Sequence, residues 1–215
     1  MNQRVAEINR KTKETSIKLT LNIDGEGKAD IDTKIPFLNH MLELFAYWGL
    51  FDLEIKAEGD LEVGIHHTNE DIGICLGEAF KEALEDKKGI KRFGFAAVPM
   101  DKALAEVTLD ISGRPSLNFE ALMPSRLTVT FNGEIDIEKF IENLRSDQKY
   151  TFEDAKHFLQ SFVNNCGVNM HIGIRPSSDL HHILEAIFKA LGIALDKATQ
   201  IDPRRQEVPS TKGKI

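Results

Sequence analysis

The stretch His66-His67-Thr68-Asn69-Glu70-Asp71 decides how this chain is read, because it occurs twice. From His66 to His181 is 115 positions, and there His181-His182-Ile183-Leu184-Glu185 repeats the pattern; each copy leads into an apolar helical run. In both copies the first imidazole and the carboxylate stand four residues apart, one helical turn, so nitrogen and oxygen donors can share a face. A single group of this kind is as easily an exposed helix surface. Two of them, each preceded by a helix with one histidine, indicate duplication.

The spacings around the pair support that reading. His40 precedes His66 by 26 positions and His157 precedes His181 by 24, giving a long repeat rather than a short solenoid period. Thr15–Ile23 alternates apolar and polar residues as a half-buried strand; Asp24-Gly25-Glu26-Gly27 is turn chemistry, and with Lys28–Thr33 predicts a hairpin. Pro36 opens a helix, Phe37 to about Trp48, ended by Gly49; a strand follows at Phe51–Ala57 and a second helix at His67–Leu84. After a linker at Glu85–Gly89 the scheme restarts. Strands are expected at Ala97–Leu104, Ala105–Ile111 and Ser116–Leu122, and a short helix at residues 137–144. Phe152–Asn164 reads as a helix, Val168–Ile174 as a strand, and the last helix runs from His181 to Leu195. The expected fold is α+β, an α/β sandwich of two similar halves, each with a mostly antiparallel sheet and two helices. Residues 1–88 form the first half-repeat and 89–215 the second, together one compact unit.

Composition narrows the function. At 215 residues, 41% hydrophobic and 28% charged, the chain can build an ordinary packed core. A formal charge of −7 argues against nucleic-acid binding, which needs a basic face, so any anionic ligand requires a local cationic cluster. Cys75 and Cys166 lie in apolar helical surroundings without a CxxC pattern, and read as buried free thiols suited to a reducing cytoplasm. The first fifteen residues lack an apolar core and no stretch of eighteen apolar residues occurs, so neither export nor a membrane span is expected.

Six of the seven histidines fall at corresponding places in the two halves. With Glu70 and Glu185 they give eight candidate ligands: His40, His66, His67, Glu70, His157, His181, His182 and Glu185. These divide into two sites of three imidazoles and one carboxylate, which leaves open positions on a six-coordinate ion such as manganese, iron or zinc; open positions favour catalysis over a closed structural site. A neighbouring subunit is a possible source of missing ligands. His171, alternating on a strand with Asn169 and Gly173, is read as structural or substrate-side.

Arg10–Thr15, Phe37–Leu42, His66–Asp71, Pro99–Asp101, Ser112–Pro115, His157-Phe158, His181–Ala186, Phe188–Ala190 and Ser210–Gly213, in that order, resemble the signatures of the imidazoleglycerol-phosphate dehydratase family over nearly the whole chain. The resemblance implies a hydro-lyase of histidine biosynthesis that converts D-erythro-imidazole glycerol phosphate to imidazole acetol phosphate. It also implies two divalent ions, manganese, bridged by the substrate's imidazolate and held by the eight residues above. By the same resemblance Glu14 is the acid/base carboxylate, and Arg92, Arg114, Ser210 and Lys212 contact substrate and phosphate. The family's assembly of trimers into a twenty-four-subunit shell is likewise implied. Some positions depart from its pattern: Trp48 stands where a histidine is usual, Gly64 replaces an acid two residues before the double histidine, Ser177-Ser178-Asp179 is altered, and residues 121–156 are longer and more polar. These keep open a second reading, a metal-binding relative with lost or altered dehydratase activity. A dinuclear metallohydrolase is a third, disfavoured because the ligand set is rich in histidine and the basic residues lie apart from it in sequence.

Overall fold

A computed structural model describes residues 4–121, 149–175 and 179–215. The helix expected at 137–144 and the Ser177-Ser178 pair lie outside them. Among the described residues twelve elements follow one another in two matching series. The first is β1 (Val5–Lys11), β2 (Thr15–Asn22), β3 (Ala29–Asp32), α1 (Pro36–Gly49), β4 (Asp52–Gly59) and α2 (His66–Ala83). The second is β5 (Phe93–Met100), β6 (Ala103–Asp110), β7 (Ser116–Ala121), α3 (Phe152–Cys166), β8 (Asn169–Arg175) and α4 (Leu180–Thr199). Each series makes a four-stranded sheet of the same order, β1-β2-β4-β3 and β5-β6-β8-β7. In each, two pairs are antiparallel and the last, β3 with β4 or β7 with β8, is parallel. The α+β, duplicated, mostly antiparallel architecture is the one the sequence predicts.

Strand alternation puts Ile17, Leu19 and Leu21 of β2 and Leu53, Ile55 and Ala57 of β4 on one buried face, with Val107, Leu109, Ile172 and Ile174 doing the same in the second sheet. The helices cover those faces and meet one another between the sheets: α2 lies on α3, and α1 on α4. Each half thus packs against the other through its helices. Glycine permits the close crossings. A Cβ on Gly77 would come within 2.6 Å of the Phe162 carbonyl oxygen and 2.8 Å of the Cys166 nitrogen; one on Gly192 would come within 2.4 Å of the Phe45 oxygen and 3.0 Å of the Gly49 nitrogen. Gly77 and Gly192 each lie seven residues after their own motif's glutamate, and Phe45 and Phe162 each five after His40 and His157. The two crossings are the same contact made twice.

The structure corrects three local expectations. Lys28–Thr33 does not pair with the preceding strand: β2 is flanked by β1 and β4, and β3 runs parallel to β4. Four residues with two aspartates, Ala29–Asp32, lose the central place to the longer β4, whose three apolar side chains are buried. The second correction moves a turn, which lies at Asp101-Lys102 rather than between Leu104 and Ala105. Asp101 takes φ 49° there, a left-handed conformation an aspartate tolerates, and lets Met100 pair with Ala103. The last helix, finally, continues beyond Leu195 to Thr199. Ala198 and Thr199 are buried, and the Thr199 carbonyl accepts a 2.7 Å hydrogen bond from Arg4 Nη1. Gly49 is the final helical residue of α1, and the left-handed cap is Leu50 at φ 56°.

Candidate metal centres and a basic cavity

Both histidine motifs sit at helix N-termini, held there by different means. In α2, Asp71 receives Arg10 Nε (2.9 Å) and the Thr15 hydroxyl from the first sheet. Asn69 donates to the Asp154 carbonyl and accepts from the Tyr150 hydroxyl, both at 2.8 Å. Thr68, Asn69 and Asp71 are buried, so Glu70 and the two imidazoles remain on the outer face. In α4 the matching positions, Ile183, Leu184 and Ala186, are apolar and anchor the helix by burial, with Asp179 as its N-cap.

The helix crossings then bring the motifs to partners from the opposite half. His40 on α1 meets His181 and Glu185 on α4: the two Nε2 atoms lie 3.0 and 2.9 Å from Glu185 Oε1, and the three donor atoms all fall within 4.8 Å of one another. Phe37 stacks edge-on against His181 at 5.2 Å, and Lys189, one turn along, binds Glu185 Oε2 at 2.6 Å. Burial alone would push the Glu185 carboxyl up, but hydrogen bonds from Lys189, His40 and His181 bring it down to about 2. A cavity of about 740 Å³ opens beside this group, lined by Pro36, Phe37, His40, Leu61, Ile65, Tyr150 and His181 among others.

The equivalent group pairs His157 on α3 with His66 and Glu70 on α2. His157 Nδ1 lies 3.6 Å from Glu70 Oε1, and the His66 and His157 rings are 5.9 Å apart. This group is looser and more acidic. Glu153 reaches His157 Nε2 at 3.1 Å, and Asp154, placed by a capping box with Thr151, lies 3.6 Å from His66 Nδ1. His157 Nδ1 is buried with no hydrogen-bond partner among the described residues. An orphaned imidazole nitrogen facing a carboxylate is a ready ligand, and imidazole with carboxylate suits a borderline divalent ion. The first group brings its three donor atoms within the span of a single ion, and the second offers the same donor types in a looser arrangement.

His67 and His182 join neither group. His67 Nδ1 faces Asp60 at 3.0 and 3.2 Å and lies 3.9 Å from Glu14 on the β1–β2 turn. The Asp60 hydrogen bond holds the His67 imidazole above its usual pKa. His182 Nδ1 lies 3.3 Å from Asp179 and 3.6 Å from Asp101 on the β5–β6 turn. Glu14 and Asp101 thus occupy the same place in the two halves, a carboxylate on the first hairpin turn beside the second histidine of the motif. Asp60, Asp101, Asp154 and Lys189 carry no role in the sequence reading. Signals were available for Lys189, in its i+4 spacing from Glu185 and the Phe188–Ala190 signature, and for Asp101, the last residue of the Pro99–Asp101 signature.

Arg92, Arg114, Ser210 and Lys212 converge on one cavity of about 490 Å³, joined by Ser112, Arg205 and Lys214, with no acidic side chain in its wall. Arg92 holds the wall: it is bidentate to Asp110 (2.6 and 2.9 Å) and donates to the Pro209 carbonyl at 2.8 Å. That carboxylate's hydrogen bonds raise the arginine further. Arg114, Arg205, Lys212 and Lys214 make no ion pair among the described residues. Lys212 is presented by a turn from Ser210 to Gly213, closed by the Gly213 N–H on the Ser210 carbonyl at 3.0 Å with Gly213 at φ 72°. No histidine of either group lines this cavity. Trp48, 46% exposed at the end of α1, packs edge-on against Tyr47.

Comparison with known proteins agrees with this geometry. Residues 33–195 match the family model for imidazoleglycerol-phosphate dehydratase. An imidazoleglycerol-phosphate dehydratase from Bacillus licheniformis is 51% identical over 99% of this chain and all of its own length, and one from Geobacter metallireducens is 50% identical over 99% of each. Among solved structures, the dehydratase from Staphylococcus aureus superposes with TM-score 0.73 at 32% identity, covering 92% of this chain and 99% of that one. The one from Pyrococcus furiosus, solved in complex with a ligand, gives 0.74 at 34%, covering 97% and 100%. Fold and relatives together define an enzyme of the lyase class, a dehydratase. The chain belongs to the imidazoleglycerol-phosphate dehydratase family.

Proposed function

We propose that this chain removes water from D-erythro-imidazole glycerol phosphate to give imidazole acetol phosphate, a step of histidine biosynthesis. The observation that carries the proposal is the pair of equivalent centres, His40–His181–Glu185 and His157–His66–Glu70, each built across the two halves. In this reading those six residues, with His67 and His182, hold two divalent ions, manganese. When bound, the ions supply Lewis-acid withdrawal of charge from the substrate's imidazole ring, which the elimination needs because the carbon-bound proton is not acidic.

The chain's own groups do the rest. The cations around Ser210 receive the phosphate, since a chain of net charge −7 needs a local basic wall to hold an anion. Glu14, about half exposed on its turn, is free to take the proton from the glycerol chain and to return it to the departing hydroxyl. His67 and His182 lie outside both groups and the basic cavity lies apart from them, which supports completion of each site by neighbouring copies. The proposal therefore includes a homo-oligomer, trimers building a twenty-four-subunit shell. Exposed Phe93 and Phe95 on β5 and the Tyr47–Leu50 edge offer apolar surface for such contacts. It also includes residues 1–88 and 89–215 as half-repeats of one unit, no nucleic-acid partner, and a cytoplasmic site suited to two buried free thiols. No helix among the described residues is long and apolar enough to cross a membrane.

The test is turnover. Manganese-loaded protein is incubated with imidazole glycerol phosphate and the ketone product followed, with and without chelator. Product formation that chelation abolishes is the expected result. Two ions bound per chain with no turnover would instead favour the altered relative, whose motivation is Trp48 in place of the usual histidine.

A further inference from the structure

The duplicated scaffold shows how the second histidine of each motif is aimed, and the two halves do it differently. Before α4, Asp179 is the N-cap: its Oδ1 accepts the His182 backbone N–H at 3.2 Å, and its Oδ2 lies 3.3 Å from His182 Nδ1. The matching position before α2, two residues ahead of the first histidine, is Gly64, and α2 has no side-chain cap. His67 still has a carboxylate at Nδ1, but it comes from Asp60, four residues further back on the turn after β4. We infer that Asp60 is the positioning residue for His67, doing from the turn what Asp179 does for His182 from the helix cap.

Three observations support this. A carboxylate only accepts, so contact with both Asp60 oxygens fixes the proton on His67 Nδ1 and leaves the Nε2 lone pair directed outward, the form in which imidazole binds a metal. Asp60 is itself fixed: its backbone N–H donates to the Glu14 carbonyl at 3.1 Å, and its carbonyl receives Val63 N–H at 2.8 Å and Gly64 N–H at 3.4 Å. Its side chain is only 21% exposed. Asp60 thereby ties the hairpin turn that carries Glu14 to the imidazole beside it. Finally, a Cβ on Gly64, the residue before the α2 N-cap Ile65, would meet nothing within 4 Å, so a carboxylate side chain has room there once the backbone relaxes from its φ of 158°.

The inference rests on His67 being a metal ligand, and the experiment separates the two. Manganese binding to the intact assembly is measured by equilibrium dialysis for the wild type, Asp60→Ala, Asp60→Asn and the double variant Asp60→Ala/Gly64→Asp, with thermal unfolding of the metal-free proteins alongside. Asp60→Ala is expected to weaken one of the two ions about 10–100-fold, as loss of an outer partner of a ligand does. Asp60→Asn, which keeps the turn but not the charge, should show a smaller loss, and the added Gly64→Asp, which also has to relax the Gly64 backbone, should recover part of the affinity. A wild type that binds no manganese overturns the metal reading itself. Wild-type binding with unchanged affinity in Asp60→Ala overturns the role of Asp60. Loss in Asp60→Asn as large as in Asp60→Ala, with thermal unfolding lowered equally in both, assigns the effect to the turn's fold and overturns it as well.

Discussion

Single residues divide the chemistry between them, and each division can be tested. Glu14 touches no member of either His–Glu group and sits half exposed on a turn, so Glu14→Gln should leave metal content unchanged while lowering kcat about 10²–10⁴-fold, the usual worth of a positioned acid/base. Metal analysis beside steady-state kinetics reads both. Glu185 behaves otherwise, being a buried carboxylate with Lys189, His40 and His181 around it. In metal-free protein its folded pKa of about 2 lies below the ordinary 4.5, so its contribution to stability is complete above 4.5 and is lost as pH falls through about 2. Denaturant midpoints of chelated protein should therefore drop from pH 5 to pH 2.5 more steeply in the wild type than in Glu185→Gln. At this scale the sequence was legible wherever chemistry is local. His66, Glu70, His181 and Glu185 announce themselves by helical spacing, and Cys75 and Cys166 by apolar surroundings that leave both buried, with thiols pushed up to about 12 by desolvation. Asp60 and Asp101 could not be found that way, because they act from turns whose neighbours are set by tertiary packing.

Elements were read well where one face is apolar and a chemical stop follows. Proline at the start of α1 and the Thr151–Asp154 capping box at the start of α3 agree with the expected helix starts. Thr151→Ala should lower stability by about 1 kcal/mol and, by loosening Asp154, weaken the His66 side of the second centre; chemical denaturation and metal titration report the two effects. The pairing of β3 was misread because a Gly-rich turn between alternating runs looks the same whether the chain returns beside its last strand or waits for β4. The crossing glycines were also opaque in sequence: Gly49 reads as a helix stop, and a helical pattern assigns nothing to Gly77 or Gly192. Their role is contact. A methyl at Gly192 would stand 2.4 Å from the Phe45 carbonyl, and Gly192→Ala should cost about 1–3 kcal/mol in overpacking and part His40 from His181. Thermal unfolding together with metal affinity would show whether both fall.

For the whole molecule the duplication was visible but the pairing of its parts was not: sequence brings His40 near His66, whereas packing brings it to His181. The basic cavity was legible only as scattered arginines and a C-terminal Ser-Thr-Lys, and folding collects all four expected residues with Arg205 and Lys214. Lys212→Ala or Arg114→Ala should raise KM for the phosphorylated substrate and weaken competition by inorganic phosphate, while leaving metal content unchanged. Inhibition kinetics would check it.

The crossing of the halves has one more consequence. Two separate copies of a single half, related by a two-fold axis, would make the same pair of centres, and those centres would be forced to be identical. Joining the copies in one chain removes that constraint, and here it has been used. Lys189 beside Glu185 is matched by Ile74 beside Glu70, and Glu153 and Asp154 at one centre by Pro36 and Phe37 at the other. A scaffold that is symmetric in backbone has become polar in charge, with a neutralised, partly aromatic end and an acidic one. Such a molecule can tell the two ends of an unsymmetrical guest apart, which a true dimer of halves could not.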